Sequence, residues 1–200
     1  MWRILGISSS VVKLQKIVGN MQWFKAQTHV ENENSSVPLI SWSPPVEGSL
    51  KCNVDAGFNT RRGTTNRGWC FRDHLGSFLC GGTAWDFGSF SIMEAEALAI
   101  KEAILSAIDL HMENLVFESD SQRTIQAILS DRHGVSDFSL IVSSIRNLLF
   151  YFPNFEVKFV KHQANSVTHS LAKAADSWTR RSWFNVLPPC IATLLINDMS

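Results

Sequence analysis

Between residues 50 and 84, three short strand-like runs follow one another with only glycine-containing turns between them. The runs are Leu50–Phe58, Arg67–Arg72 and Ser77–Ala84, and the turns contain Gly63 and Gly76. Strands joined by such short links pair antiparallel, because a parallel pair needs a crossover of a dozen or more residues. The pattern therefore predicts a three-stranded antiparallel meander.

Helical and strand-like patterns alternate over the rest of the domain. Residues Ile92–Leu110 have the length, alanine content and three-to-four apolar spacing of a helix. The further predicted elements are a strand at Leu115–Phe117, helices at Ser121–Leu129 and Phe138–Phe150, a strand at Glu156–Lys161, and a last helix with Val167, Leu171, Ala174 and Trp178 on one face. This order predicts an α/β fold, with a mixed five-stranded sheet (three antiparallel strands, then crossovers) and flanking helices.

The length of 200 residues allows one domain with tails. We expect a tail or linker over residues 1–41, which includes a short amphipathic helix over residues 11–24 and a polar run. The domain is predicted over residues 42–180. Residues 181–200 form a small C-terminal attachment, whose tryptophan and leucine side chains could pack on the domain or meet a partner.

The chain has no net charge, with 18 Lys and Arg against 18 Asp and Glu. It therefore lacks the long-range attraction for phosphate of strongly basic proteins, and any nucleic-acid contact must be local. No stretch approaches the roughly 18 apolar residues of a membrane span, so we expect no membrane partner. The four cysteines have no metal-ligand spacing. We expect reduced thiols in a monomer that is intracellular, with the nucleus as one candidate compartment, and not secreted.

Three acidic residues stand where acids are unusual. Asp55 interrupts an apolar strand, Glu96 falls on the core-facing stripe of its helix, and Asp120 follows a buried strand. Each acid also has a structural explanation without a functional role. Asp55 could cap a turn, Glu96 could be satisfied by solvent and the helix dipole at the helix start, and Asp120 could be an N-cap. Together they can converge at the mouth of an open α/β sheet, where ligands usually bind. Clustered carboxylates repel one another unless cations neutralise them, and oxygen ligands favour Mg²⁺ or Mn²⁺.

Six motifs, in this order, make the chain recognisable. They are Trp42-Ser-Pro-Pro, Lys51-Cys-Asn-Val-Asp55, Gly68-Trp-Cys-Phe-Arg-Asp73, Glu94-Ala-Glu96-Ala-Leu98, Glu118-Ser-Asp120-Ser, and Asn165 with Leu171-Ala-Lys173. From Trp42 to about Ala175 the chain resembles the type 1 ribonuclease H domain, and more closely the plant branch related to the ends of non-LTR retrotransposon polyproteins. Any single motif is weak, but the ordered set is specific.

The resemblance implies hydrolysis of the RNA strand of an RNA/DNA hybrid by a two-metal site. Asp55, Glu96 and Asp120 match the family's first three metal-binding, catalytic carboxylates, with Mg²⁺ or Mn²⁺ as the two ions. Gln122 matches a position that contacts the minor groove of the substrate, where 2′-hydroxyls distinguish RNA from DNA. Asn165 is carried over as a second substrate-binding residue.

His169 departs from the family pattern. Relatives that cleave efficiently carry a fourth carboxylate four residues after the asparagine matched by Asn165, and here that catalytic position holds His169. Imidazole suits softer cations than Mg²⁺ and adds no negative charge, which predicts a weaker second metal site and weak or manganese-dependent activity. The alternatives are an exposed residue without a role, and a nucleic-acid-binding module or retroelement remnant that has lost hydrolysis. His162 is a further candidate for phosphate contact or proton transfer, or a plain surface residue.

Overall fold

A mixed sheet of six strands forms the centre of the domain. The structure, a computed structural model, describes residues 41–88, 90–132 and 134–198, and the helix predicted over residues 11–24 lies outside these ranges. The strands are β1 (Leu50–Asn59), β2 (Thr64–Arg72), β3 (Phe78–Phe87), β4 (Leu115–Ser119), β5 (Phe155–Phe159) and β6 (Arg181–Phe184), in the spatial order β5-β4-β1-β2-β3-β6. Strands β1, β2, β3 and β6 pair antiparallel, whereas β4 and β5 run parallel to β1.

Helices cover both faces of this sheet. They are α1 (Ile92–Asp109), α2 (Gln122–Leu129), α3 (Asp137–Tyr151), α4 (Ser166–Ala174) and α5 (Pro189–Asp198). One face carries the larger core, in which α1 and α2 pack against the sheet and α3 packs against α1 and α2. The other face carries a smaller core, in which α4 covers β1 and β2 and α5 packs against α4. No helix in the described ranges is long and apolar enough to span a bilayer.

The meander and the alternation of strands and helices are confirmed, but the prediction of five strands is wrong. The sixth strand, β6, lies in the predicted C-terminal attachment and pairs antiparallel with the free edge of β3, Gly82 standing opposite Trp183. It has only four residues, so its sequence offers too few alternating positions to be recognised as a strand. Helix α5 follows and buries Ile191 and Leu195 in the smaller core.

The last predicted helix is also shorter than expected. Helix α4 ends at Ala174, a short 3₁₀ turn covers Ala175–Ser177, and Trp178 follows in an extended conformation. Trp178 still packs against the smaller core, edge-on to Phe184 at 4.8 Å between ring centroids. The apolar spacing therefore marked a real packing face, although the last contact is made outside the helix.

A close approach between β2 and α4 requires glycine at position 68. A Cβ atom at Gly68 would lie 2.6 Å from the backbone nitrogen of Ala172, whereas one at Gly57 would lie 3.7 Å from the nearest atom of the same residue. We expect Gly68→Ala to lower the free energy of unfolding by about 1–3 kcal/mol or more, because backbone must move to admit the methyl group. Gly57→Ala is the matched control, and urea denaturation of both variants checks the difference. Equal stability of the two variants would contradict this packing.

Candidate active site

Three carboxylates from three different elements meet near the end of β4. Asp55 lies inside β1, two residues beyond the last position at which β1 pairs with β4. Glu96 lies in the first turns of α1, whose start is capped by Ser91 and Glu94. Asp120 follows the last residue of β4, and α2 begins only after Ser121, so Asp120 is not the N-cap residue of that helix.

The three carboxyl groups are close enough to share a cation. One oxygen from each of Asp55, Glu96 and Asp120 lies within 4.8 Å of the others. Asp55 and Glu96 are almost fully buried, with 3% and 7% of their surface exposed, and Asp120 is partly exposed. The side chain of Glu96 thus points inward, as the helix spacing indicated.

Burial and repulsion between charges raise the pKa of two of these carboxyls. Burial, and then the charge of Asp120, raise the pKa of Asp55 to about 6, while the neighbouring His169 acts in the opposite direction. Burial, and then the charges of Asp55 and Asp120, raise the pKa of Glu96 to about 9. A divalent cation would relieve the same repulsion, and three oxygen ligands suit Mg²⁺ or Mn²⁺. The residues present therefore fit a hard metal ion.

His169 lies at the edge of the carboxylate cluster. It is half-exposed on α4, and its Nδ1 lies 3.0 Å from Oδ2 of Asp55. When Asp55 is ionised, the imidazole N–H donates to that carboxylate. His169 is therefore in direct contact with one of the three clustered carboxylates.

His162 is a neighbour of the cluster that the sequence left undecided. Its Nδ1 lies 2.6 Å from Oδ2 of Asp120, and its ring stands edge-on to that of His169 at 5.0 Å between centroids. Both imidazoles therefore contact the cluster from the solvent side, one on each of two acids. Sequence spacing could not show this, because 42 residues separate His162 from Asp120.

Asn165 and Gln122 are placed very differently. Asn165 is buried, and its amide Nδ2 donates to the carbonyl of Val54 at 2.8 Å and lies 3.4 Å from Oδ1 of Asp120. Its Oδ1 accepts from the hydroxyl of Thr168 at 2.7 Å. Gln122, by contrast, is exposed at the start of α2. Substrate contact stays a prediction for both residues.

Comparison with protein families identifies the domain. The Reverse transcriptase-like family matches residues 53–175, which include the three clustered carboxylates. The chain belongs to this family. A search of curated proteins found no match.

Solved ribonuclease H structures share the fold of this Reverse transcriptase-like domain. RNase H1 from the halophilic archaeon Halobacterium salinarum is 20% identical, with a TM-score of 0.57 over 65% of this chain and 98% of its own. The N-terminal RNase H domain of a Mycobacterium tuberculosis protein is 15% identical (TM-score 0.56, covering 64% and 94%). LC11-RNase H1, solved with an RNA/DNA hybrid, is 17% identical (TM-score 0.56, covering 64% and 98%). At these identities the likeness shows that the fold is ribonuclease H-like.

A groove of the Reverse transcriptase-like domain is lined by residues close in sequence to two of the carboxylates, Glu96 and Asp120. It has a volume of about 520 Å³ and lies between α2, α3 and the start of α1, where Met93 stands one turn before Glu96. Arg123 and Arg132 line it and are exposed. A third lining residue, Arg146, instead uses its guanidinium to bind carbonyl groups at the end of α2.

Proposed function

We propose that this protein hydrolyses the RNA strand of RNA/DNA hybrids with two divalent ions, Mg²⁺ or Mn²⁺, held by Asp55, Glu96 and Asp120. The observation that carries the proposal is the convergence of these three carboxylates within 4.8 Å on a ribonuclease H-like fold. LC11-RNase H1, a protein of the same fold, was solved in complex with such a hybrid. Bound ions would polarise the attacking water and neutralise charge on the scissile phosphate and the departing oxygen.

The protein residues hold the cluster in place. Asn165 links Asp120 to the backbone of β1 through its bond to the Val54 carbonyl. His169 donates to Asp55, and the hydroxyl of Ser119 at the end of β4 donates to Oε2 of the buried Glu96 at 3.3 Å, which holds that carboxylate toward the other two. Because the ligands are fixed before substrate binds, little reorganisation is needed during the reaction.

The negative charge of the hybrid would be neutralised by individual side chains near the site. Since the whole chain is neutral, phosphate groups must be bound by particular cations, and Arg123 and Arg132 line a groove that begins one helical turn from Glu96. We assign this groove to the strand paired with the scissile strand. Gln122 is exposed at the start of α2 and comes between Asp120 and the groove-lining Arg123 in the sequence. Its side chain would contact the minor groove of the hybrid.

A second candidate function is a binding module with weak hydrolysis. It is favoured by His169, which occupies the position of the fourth carboxylate and contributes no negative charge toward a second ion.

The six ordered motifs also lead us to propose that this chain belongs to the plant branch of the family. We propose further that it acts as an intracellular monomer.

Restoring the fourth carboxylate should distinguish these two functions. We expect His169→Asp to raise the rate of hybrid cleavage in Mg²⁺ by about tenfold, because an added carboxylate strengthens the second ion site. Cleavage in Mn²⁺ should rise less, since imidazole already suits that ion better. Rate measurements in each metal check this. His74→Asp is the control, because His74 lies in the β2–β3 turn beyond Arg72, which pairs with Lys51 four residues before Asp55. If the cleavage rate of His169→Asp in Mg²⁺ does not rise, His169 is not what limits cleavage by the natural chain.

The substrate class can be tested with four end-labelled duplexes or strands of one sequence. An RNA/DNA hybrid, double-stranded RNA, double-stranded DNA and single-stranded RNA are each incubated with the protein and Mg²⁺ or Mn²⁺. We expect that only the hybrid is cleaved, in its RNA strand, because the site requires a phosphate of an RNA strand within a duplex that has the shape of a hybrid. Equal cleavage of double-stranded RNA would contradict hybrid specificity.

A further inference from the structure

A buried polar network joins β1 to β4 directly behind the carboxylate cluster. The amide Nδ2 of Asn53 donates to Oε2 of Glu118 at 3.0 Å, and Nζ of Lys51 lies 2.7 Å from Oε1 of the same carboxylate. Arg72 on β2 donates through Nη2 to Oδ1 of Asn53 at 2.8 Å. All four side chains are less than one tenth exposed, so these contacts are made away from water.

Two segments outside the family match complete the network. The indole ring of Trp42 covers the guanidinium of Arg72, with 3.4 Å from Cζ to the ring centroid. Asp198, the last residue of α5, accepts from Nη1 of Arg72 at 2.7 Å. Lys51 also donates to the carbonyl of Ser43 at 2.7 Å. Segments before and after residues 53–175 therefore contact the same buried charges.

Two acids of the cluster, Asp55 and Asp120, each come two residues after a member of the network, on β1 and just beyond β4. Alternate residues of a strand share a face, so Asp55 follows Asn53 on one face of β1, and Asp120 comes two residues after Glu118. Asn53 and Glu118 stand opposite each other in the register of β1 and β4. The hydrogen bond between Asn53 and Glu118 therefore joins the two strands two residues before each acid.

We propose that Asn53 and Glu118 are positioning residues for the metal site. The hydrogen bond between them sets the distance between Asp55 and Asp120. This inference rests on the proposed function. Lys51 and Arg72 orient the pair, because one holds the carboxylate of Glu118 and the other the amide oxygen of Asn53. Outer residues that orient metal ligands commonly change metal affinity or activity by about 10- to 100-fold when they are replaced.

A reversal of the hydrogen bond tests this. Asn53→Asp places two carboxylates face to face, so the strands should separate and metal affinity should fall. In the double variant Asn53→Asp with Glu118→Gln, the new amide donates to the new carboxylate, and Lys51 and Arg72 each keep an acceptor. The total charge of the network is unchanged. Glu118→Gln alone completes the cycle and serves as the milder variant if Asn53→Asp does not fold.

The readouts are Mn²⁺ affinity by calorimetry, kcat and KM for hybrid cleavage, and Tm by circular dichroism. We expect Asn53→Asp to weaken Mn²⁺ binding and lower kcat by about tenfold with little change in KM, and the double variant to restore both. The control is Asp86→Asn, which replaces a partner of the buried Arg67 on the α1 face of the sheet. It should lower Tm but leave Mn²⁺ affinity unchanged.

Unchanged Mn²⁺ affinity in folded Asn53→Asp, or a double variant that recovers Tm without Mn²⁺ affinity, would overturn the inference. If Asn53→Asp is unfolded, unchanged affinity in Glu118→Gln would overturn it. A natural chain that binds Mn²⁺ but does not cleave the hybrid would overturn the proposed function alone, and the Mn²⁺ affinities would still decide the positioning role. A natural chain that binds no Mn²⁺ would overturn both.

Discussion

Glu96→Gln is expected to lower the rate of hybrid cleavage by at least about 10³-fold. Loss of one charged ligand removes several kcal/mol of transition-state stabilisation, and each 1.36 kcal/mol corresponds to a factor of ten in rate. The change is isosteric, and without metal it replaces a carboxyl that is protonated at neutral pH, because burial and then the charges of Asp55 and Asp120 raise the pKa of Glu96 to about 9. The variant should therefore fold, and its defect should lie in kcat. Single-turnover cleavage of an end-labelled hybrid measures it.

Glu94→Gln, two residues earlier on the same helix, is the matched control. Glu94 accepts from the backbone N–H of Ser91 at 2.8 Å in the cap of α1, and glutamine can keep that contact. Its rate should equal that of the natural chain. If Glu96→Gln retained the natural rate, or if the two variants lost activity equally, Glu96 would not be part of the site.

Divalent ions should stabilise the folded protein in the absence of substrate. At a free ion concentration of about 100 times Kd, binding adds about 2.7 kcal/mol to the free energy of unfolding, or about 5–10 °C in Tm for a domain of this size. Asp55→Asn should abolish most of this increase. Without metal, above about pH 6, the same variant should melt above the natural chain, because the buried charge of Asp55 and its repulsion with Asp120 are gone.

Thermal unfolding with EDTA, Mg²⁺ or Mn²⁺ checks both effects. Asp73→Asn is a control, since Asp73 is an acid of the β2–β3 turn whose carboxylate binds backbone N–H groups there. It should keep the full response to metal. An undiminished increase in Asp55→Asn would show that the ions bind elsewhere.

The sequence predicted those parts of the fold that depend on local pattern. The meander, α1 and the inward direction of Glu96 follow from apolar spacing over neighbouring residues, and the structure has all three. Strand β6 was missed because four residues cannot display a period of two convincingly. Trp178 keeps its packing contact after the helix has ended, which periodicity alone could not distinguish from a longer helix.

The surroundings of the site could not be predicted in the same way. The contact of His162 with Asp120, and that of Arg72 with Asp198, join residues that are 42 and 126 positions apart. Such contacts depend on strand order and on helix packing, and neither is visible in the spacing of a single sequence. Asn165 shows the same limit, because the sequence suggested substrate contact and the structure gives it three partners within the protein.

Cleavage of an end-labelled RNA/DNA hybrid by the natural chain, beside Asp55→Asn, tests the central claim most directly. Mg²⁺ and Mn²⁺ are used in separate reactions, and each protein is first shown to be folded. The expected result is cutting of the RNA strand by the natural chain and none by Asp55→Asn. A folded natural chain that leaves the hybrid intact in both metals, or an Asp55→Asn variant that cuts at the natural rate, would contradict the account.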